Sequence, residues 1–175
     1  MFNLEFRQTT EADLEYVLAV EQHDENRPFI LPWSREKHQA AIADPDIAHL
    51  IVQTSTVQTS TVQTFTDSVA VNVGFVILAG LCDPNDSIEL RRIVITQKGQ
   101  GYGQATLNQV KQLAFETYQA HLLWLDVKEH NHRAQVVYTK AGFKVEGTLR
   151  DRLKTTTGYE SLILMSILRS EYQKS

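Results

Sequence analysis

Lys98-Gly99-Gln100-Gly101-Tyr102-Gly103 follows the apolar run Ile93-Val94-Ile95 and opens a helical pattern, so the segment reads as strand, glycine turn, helix. Three glycines in five residues keep side chains off the backbone, and consecutive amides can converge on one anion at a helix N-terminus. That arrangement is a phosphate cradle. It is not the nucleoside-triphosphate loop, which needs Lys and Ser or Thr directly after its last glycine, where Gln104 and Ala105 stand. Nor is it the dinucleotide fingerprint, whose third glycine would fall on Gln104 or Thr106. What remains is basic-x-x-Gly-x-Gly between a strand and a helix. The plainer alternative is a turn that joins the two elements and holds no ligand.

Further along, Leu122-Leu123-Trp124-Leu125-Asp126-Val127 reads as a buried strand, followed by Asn131-x-x-Ala134-x-x-x-Tyr138-x-x-x-Gly142-Phe143. With the glycine turn, this segment resembles the GNAT superfamily of N-acetyltransferases. A third stretch, Glu146-Gly147-Thr148-Leu149-Arg150-Asp151, with Gly158-Tyr159-Glu160 and Leu164-Met165-Ser166-Ile167-Leu168, is similar to the branch holding ribosomal-protein N-terminal and spermidine acetyltransferases. The matches span residues 87–170, with a looser likeness in the N-terminal third.

The resemblance implies a mixed α/β (α+β) fold whose central sheet is mostly antiparallel, splayed and flanked by helices. It implies acetyl coenzyme A as cosubstrate. Gly99, Gly101 and Gly103, with Lys98, Gln100, Tyr102 and Gln104 around them, would take the pyrophosphate. The backbone of Ile93, Val94 and Ile95 would pair with the pantetheine arm, and Asn131 and Ala134 would border it. Lys98 stands where Arg or Gln is more usual, which keeps the charge and loses a planar fork. Tyr138 would protonate or hydrogen-bond the departing sulfur; its plainer role is packing the helix on the sheet. Asn131 is also a natural N-cap for the helix that follows it.

The bulk of the chain fits one domain: 175 residues, 42% hydrophobic and 22% charged. We expect residues 1–175 to form a single acetyltransferase domain with a Val-Gln-Thr repeat, residues 52–66, inserted in a hairpin. That repeat runs Val52-Gln53-Thr54-Ser55-Thr56, again from Val57, and begins once more at Val62. Five-residue units are too short for a solenoid, and Val and Thr favour strands. A tolerated surface insertion is the bland reading, and edge-to-edge pairing with another chain is the other. A net charge of −4 gives no reason to expect nucleic acid and mildly favours a cationic acceptor. The single cysteine, Cys82, cannot form an internal disulfide, no secretion signal opens the sequence, and no apolar run approaches the ~20 residues of a membrane span. A cytoplasmic setting with no membrane partner is the expectation.

Leu4 to Gln8 alternates like a strand, and Thr10-Glu11-Ala12-Asp13 resembles a capping box opening a helix with Leu14, Val17 and Leu18 on one face. Ser34 caps a second helix that should end before Asp44-Pro45. Strands are expected at His49 to Gln53, Val71 to Leu81 and Ile88 to Ile95; the helix after Gly101 should bury Leu107, Val110 and Ala114. Strand, helix and two strands complete the order.

Acetyl transfer needs a neutral amine. A Lys-type amine with pKa ~10.4 costs ~4.6 kcal/mol to deprotonate at neutral pH, an α-amine at ~7.7 to 8.0 only ~1 to 1.4. An α-amine can therefore react through a water relay. Glu89 is the best carboxylate candidate for a base, although alternation puts it beside Arg91, where an ion pair is equally natural. The loop carrying Asn26, Arg27, Phe29 and Trp33 either shapes acceptor choice or anchors itself in the core. His130 and His132 lack companions at ligand spacing, so no metal is expected. The sequence reading is an N-acetyltransferase acting on a protein or peptide N-terminus or a small amine through a ternary complex. A non-catalytic sensor or assembly module that binds acetyl coenzyme A is the alternative, and a homodimer stays open.

Overall fold

The computed structural model describes residues 4–57 and 68–173. Strand β1 (Leu4–Gln8) leads to Thr10, whose N–H donates to Asp13 Oδ2 at 2.8 Å; this capping box opens a 3-10 turn that runs on as α1 (Leu14–Gln22). The buried residues of α1 are Leu14, Val17, Val20 and Glu21; Leu18 is only half-buried, so the inward face lies one residue further round than the sequence pattern suggests. Ser34 Oγ accepts the Lys37 N–H at 3.3 Å and caps α2 (Arg35–Ala43), which stops ahead of Asp44-Pro45.

Strands β2 (Ile47–Val57) and β3 (Ser68–Ala79) form a long antiparallel pair registered from Ile47↔Ala79 to Val57↔Ser68. Both reach further toward the repeat than expected, and β2 runs through its first copy into Val57. Ladder pairing there outweighs the absence of apolar alternation. The rest of the repeat lies outside the described residues. After β4 (Ser87–Ile95) come α3 (Tyr102–Gln112), extended by a π-turn at Leu113–Thr117, and β5 (Leu122–Lys128). Helix α4 (His132–Lys140) and strands β6 (Lys144–Lys154) and β7 (Tyr159–Leu168) follow.

Among the described residues the strands form one seven-stranded sheet in the order β1-β2-β3-β4-β5-β7-β6. Every pairing is antiparallel except that of β4 with β5. That parallel contact holds for three residue pairs, Ser87↔Leu122, Ile88↔Leu123 and Glu89↔Trp124, after which the strands part. The splayed, mostly antiparallel sheet is therefore present. One core cluster includes Leu107, Val110 and Phe115 packed with Val76, Leu78, Leu123 and Met165; the other sets Val17 and Val20 of α1 against Ile51, Phe75, Ile77 and Val94. At ~1.5–3 kcal/mol for each fully buried large side chain, these clusters hold the helices on the sheet.

Candidate active site

The opening between β4 and β5 is a cavity of about 420 Å³. Beyond Glu89, no β5 partner takes up the edge of β4, so backbone groups from Leu90 to Ile95 are turned toward this space. Ile93, Val94 and Ile95 line it, as do Asp126 to Lys128 of β5, and Asn131, Ala134, Val137 and Tyr138 close it from the α4 side.

At one end stands the glycine turn. Gly99 and Gly101 both have φ of 82°, a backbone state that glycine adopts without a Cβ clash. Gly101 is the N-cap of α3; the Ala105 N–H reaches back to its carbonyl at 3.2 Å, and the amides ahead of that bond face off the helix end. Gly99 and Gly103 line the cavity, and a Cβ built at either meets nothing within 4 Å. The space beside Gly103 is thus open for a ligand. Lys98 lines the cavity too, with its Nζ 2.8 Å from Glu25 Oε2, which ties the glycine turn to the loop after α1.

Asn131 caps α4, its side-chain oxygen accepting the Ala134 N–H at 3.2 Å. Tyr138 packs with Phe143, their ring centroids 5.9 Å apart, and also faces the cavity. Burial, reinforced by the charge of Asp126, pushes its phenol up to about 12, so it stays protonated across the physiological range.

Several expected site residues lie elsewhere. Glu89 is held by Arg91, whose Nη2 donates at 2.6 Å, and Glu89 is not part of the cavity wall. The ion pair forms because both side chains point to one face of β4. Of the loop, Asn26 and Phe29 line the cavity with Ile30 and Leu31, whereas Arg27 and Trp33 stand outside it. Asn26 is buried and its amide donates to Val20 O at 2.8 Å. Trp33, half-buried, packs against the core cluster of α1, with the Arg92 guanidinium 4.7 Å from its ring centre. Gln100, Gly101, Tyr102 and Gln104 also lie off the wall: Tyr102 turns to the core and Gln104 toward Asn108. Among the described residues no group of three or more His, Cys, Asp or Glu is placed to hold a metal ion.

Two features had gone unread in the sequence. Asp126 is a carboxylate on the cavity wall; it shares the Trp124 face of β5, opposite buried Leu125 and Val127. Burial and nearby Glu89 push its carboxyl up, with Arg152 and Arg91 pulling the other way. Beneath the loop lies a buried polar cluster. Glu21 pairs with Arg92 and accepts the Trp33 N–H at 2.9 Å, and Arg92 donates to Leu31 O at 2.8 Å. His38 Nε2 is 3.4 Å from Glu21, while His38 and His49 share a hydrogen bond of 3.0 Å and His49 shares another of 2.9 Å with Thr9. Burial alone would raise Glu21, but His38, Arg92 and the Trp33 amide more than reverse this and hold it below its ordinary range.

A family model described as the acetyltransferase (GNAT) domain matches residues 3–144. A crystal structure of spermidine N-acetyltransferase from Vibrio cholerae in complex with CoA and spermine is similar, with a TM-score of 0.77, 20% identity and 96% coverage of both chains. A dodecameric structure of spermidine N-acetyltransferase from Vibrio cholerae, in an intermediate state, has a TM-score of 0.73 and 22% identity over 97% of this chain and 95% of that one. A Vibrio cholerae spermidine/spermine N-acetyltransferase in complex with manganese ions has a TM-score of 0.72 and 21% identity, over 97% and 94%. At these identities the likeness speaks to the fold.

Proposed function

Since the chain belongs to the GNAT acetyltransferase family and is an acetyl coenzyme A dependent N-acetyltransferase, we propose that it acetylates a primary amine, a peptide or protein N-terminus or a small amine, within the β4–β5 cavity. The chain then works as one domain, residues 1–175. The observation that carries this reading is the parting of β4 from β5 directly ahead of an open glycine turn.

Acetyl coenzyme A, when bound, supplies an activated acyl carbon and a thiol leaving group. Gly99 and Gly103 leave room for its pyrophosphate at the N-terminus of α3, where the helix dipole favours negative charge. Lys98 adds a cation on exchanging Glu25 for phosphate. The free edge of β4 at Ile93 to Ile95 offers backbone groups to the pantetheine amides, with Asn131 and Ala134 bordering the arm. Tyr138 donates a hydrogen bond to the departing sulfur. Full proton transfer from a phenol at about 12 to a thiolate whose acid has pKa ~8.5 is uphill by ~3.5 units, about 5 kcal/mol. Hydrogen bonding, rather than complete donation, is therefore the role its surroundings favour. Asn26 and Phe29, from the loop held by Glu21 and Arg92, form the acceptor side of the wall. The polyamines after which the similar Vibrio cholerae enzymes are named, spermidine and spermine, make a polyamine one acceptor to test beside peptide N-termini.

Gly103→Ala tests the cradle. A Cβ there meets no protein atom and alanine suits a helix, so folding should be unchanged, yet the methyl group enters the space given to the pyrophosphate. We expect calorimetric affinity for acetyl coenzyme A to fall at least tenfold with no loss in Tm. Unchanged affinity removes the glycine turn from the coenzyme site.

A further inference from the structure

Of the carboxylates facing the cavity, Glu25 is held by Lys98, whereas Asp126 makes no hydrogen bond or ion pair with any described residue. Three of the cations around it are engaged elsewhere, Arg91 with Glu89, Arg92 with Glu21, and Lys128 with Glu160 at 3.0 Å and Pro28 O at 2.9 Å, while Arg152 of β6 acts on Asp126 through its charge without forming an ion pair with it. Asp126 is exposed on the cavity wall, so an incoming cation can reach it, and an unpaired carboxylate there attracts one. Its position is equally specific. Glu89↔Trp124 is the last rung between β4 and β5, and Asp126 is the next residue of β5 on the Trp124 face, at the point where the strands open. Tyr138 of α4 feels its charge, which places the carboxylate near the phenol proposed to meet the sulfur.

Building on the acetyltransferase reading above, we infer that Asp126, and not Glu89, receives the acceptor's ammonium group and takes its proton. The ammonium nitrogen gives one proton to the Asp126 carboxylate and becomes the neutral nucleophile. It forms the C–N bond to the acyl carbon as the C–S bond breaks; the second proton it sheds as the amide forms passes to the sulfur, to which Tyr138 donates a hydrogen bond. Asp126 then returns its proton to water, so the sum is ammonium plus thioester giving amide, thiol and one proton. The groups facing Asp126 are Glu89 and Arg91 of β4, Arg152 of β6 and Tyr138 of α4. Desolvation by the surrounding wall and nearby Glu89 raise its carboxyl, against the pull of Arg152 and Arg91, which narrows the gap the proton must cross.

The test compares full-length wild type with Asp126→Asn and Glu89→Gln, using spermidine and a peptide with a free N-terminus as acceptor probes. Asp126→Asn removes no hydrogen bond, so Tm and acetyl coenzyme A affinity should stay within experimental error of wild type. We expect kcat/KM for the acceptor to fall at least 100-fold at pH 7 and the deficit to shrink as pH rises and free amine accumulates, with Glu89→Gln affected less than tenfold. A loss under twofold, an equal loss at every pH, or the pH signature appearing in Glu89→Gln instead overturns the inference. So does a wild type that binds coenzyme but acetylates neither probe. A wild type that fails to bind acetyl coenzyme A overturns the cavity assignment itself, and this inference with it.

Discussion

Lowering the pH should destabilise the fold through His49. This imidazole, 2% exposed, is pushed down from 6.5 to about 4, first by burial and then by His38, with Arg92 adding to the effect and Glu21 and Asp13 opposing it. Between those two values the unfolded chain binds a proton that the folded chain refuses, so folding is favoured at high pH and loses ground as pH falls below 6.5. From pH 7 to pH 5 the loss is about 2 kcal/mol, and it levels off below pH 4 at about 3 kcal/mol. Urea unfolding followed by tryptophan fluorescence at pH 7, 6 and 5 measures it. His49→Gln removes the titrating group, and its stability should fall about 2 kcal/mol less over the same interval. Identical slopes in variant and wild type would refute the reasoning, as would an NMR titration placing the His49 midpoint near 6.5.

Two further outcomes concern the buried polar cluster and the cavity. Glu21→Gln leaves the Arg92 guanidinium, whose side chain is 10% exposed, without its counter-charge, and should cost about 3–5 kcal/mol of unfolding free energy; a change below about 1 kcal/mol would show that Glu21 does not hold the loop. Tyr138→Phe keeps the packing on Phe143 and removes one hydrogen-bond donor, so kcat should drop about 100-fold while coenzyme affinity holds; equal losses in Tm and kcat would return Tyr138 to a packing role.

The legible parts of this chain are those whose cause is local. Thr10 and Asp13 cap each other across three residues, Ser34 and Asp44-Pro45 bracket α2, and Lys98 to Gly103 carries its own turn chemistry, so each could be read from neighbours alone. Glu21 and His38 were missed because charged residues suggest solvent, although Glu21 repeats four residues after Val17 on the buried face of α1. The signal was there; its partner, Arg92, is 71 residues away and only the folded sheet brings them together. Alternation put Asp126 on the face opposite Leu125 and Val127, but whether that face meets a neighbour or a cavity depends on where β4 and β5 separate, a long-range property. Glu89 shows the converse: the alternation that suggested its ion pair with Arg91 was sufficient, and the pair is what formed.

The seam between β4 and β5 also bears on how the molecule holds together. Three parallel rungs join a four-stranded half, β1 to β4, to a three-stranded half, β5 to β7, making this junction the narrowest in the sheet. A coenzyme seated as proposed would touch both halves and bridge the seam. Its occupancy would then add to the folding stability of the whole plate, about 2.7 kcal/mol at a hundred times its Kd, so the melting temperature should rise with acetyl coenzyme A concentration.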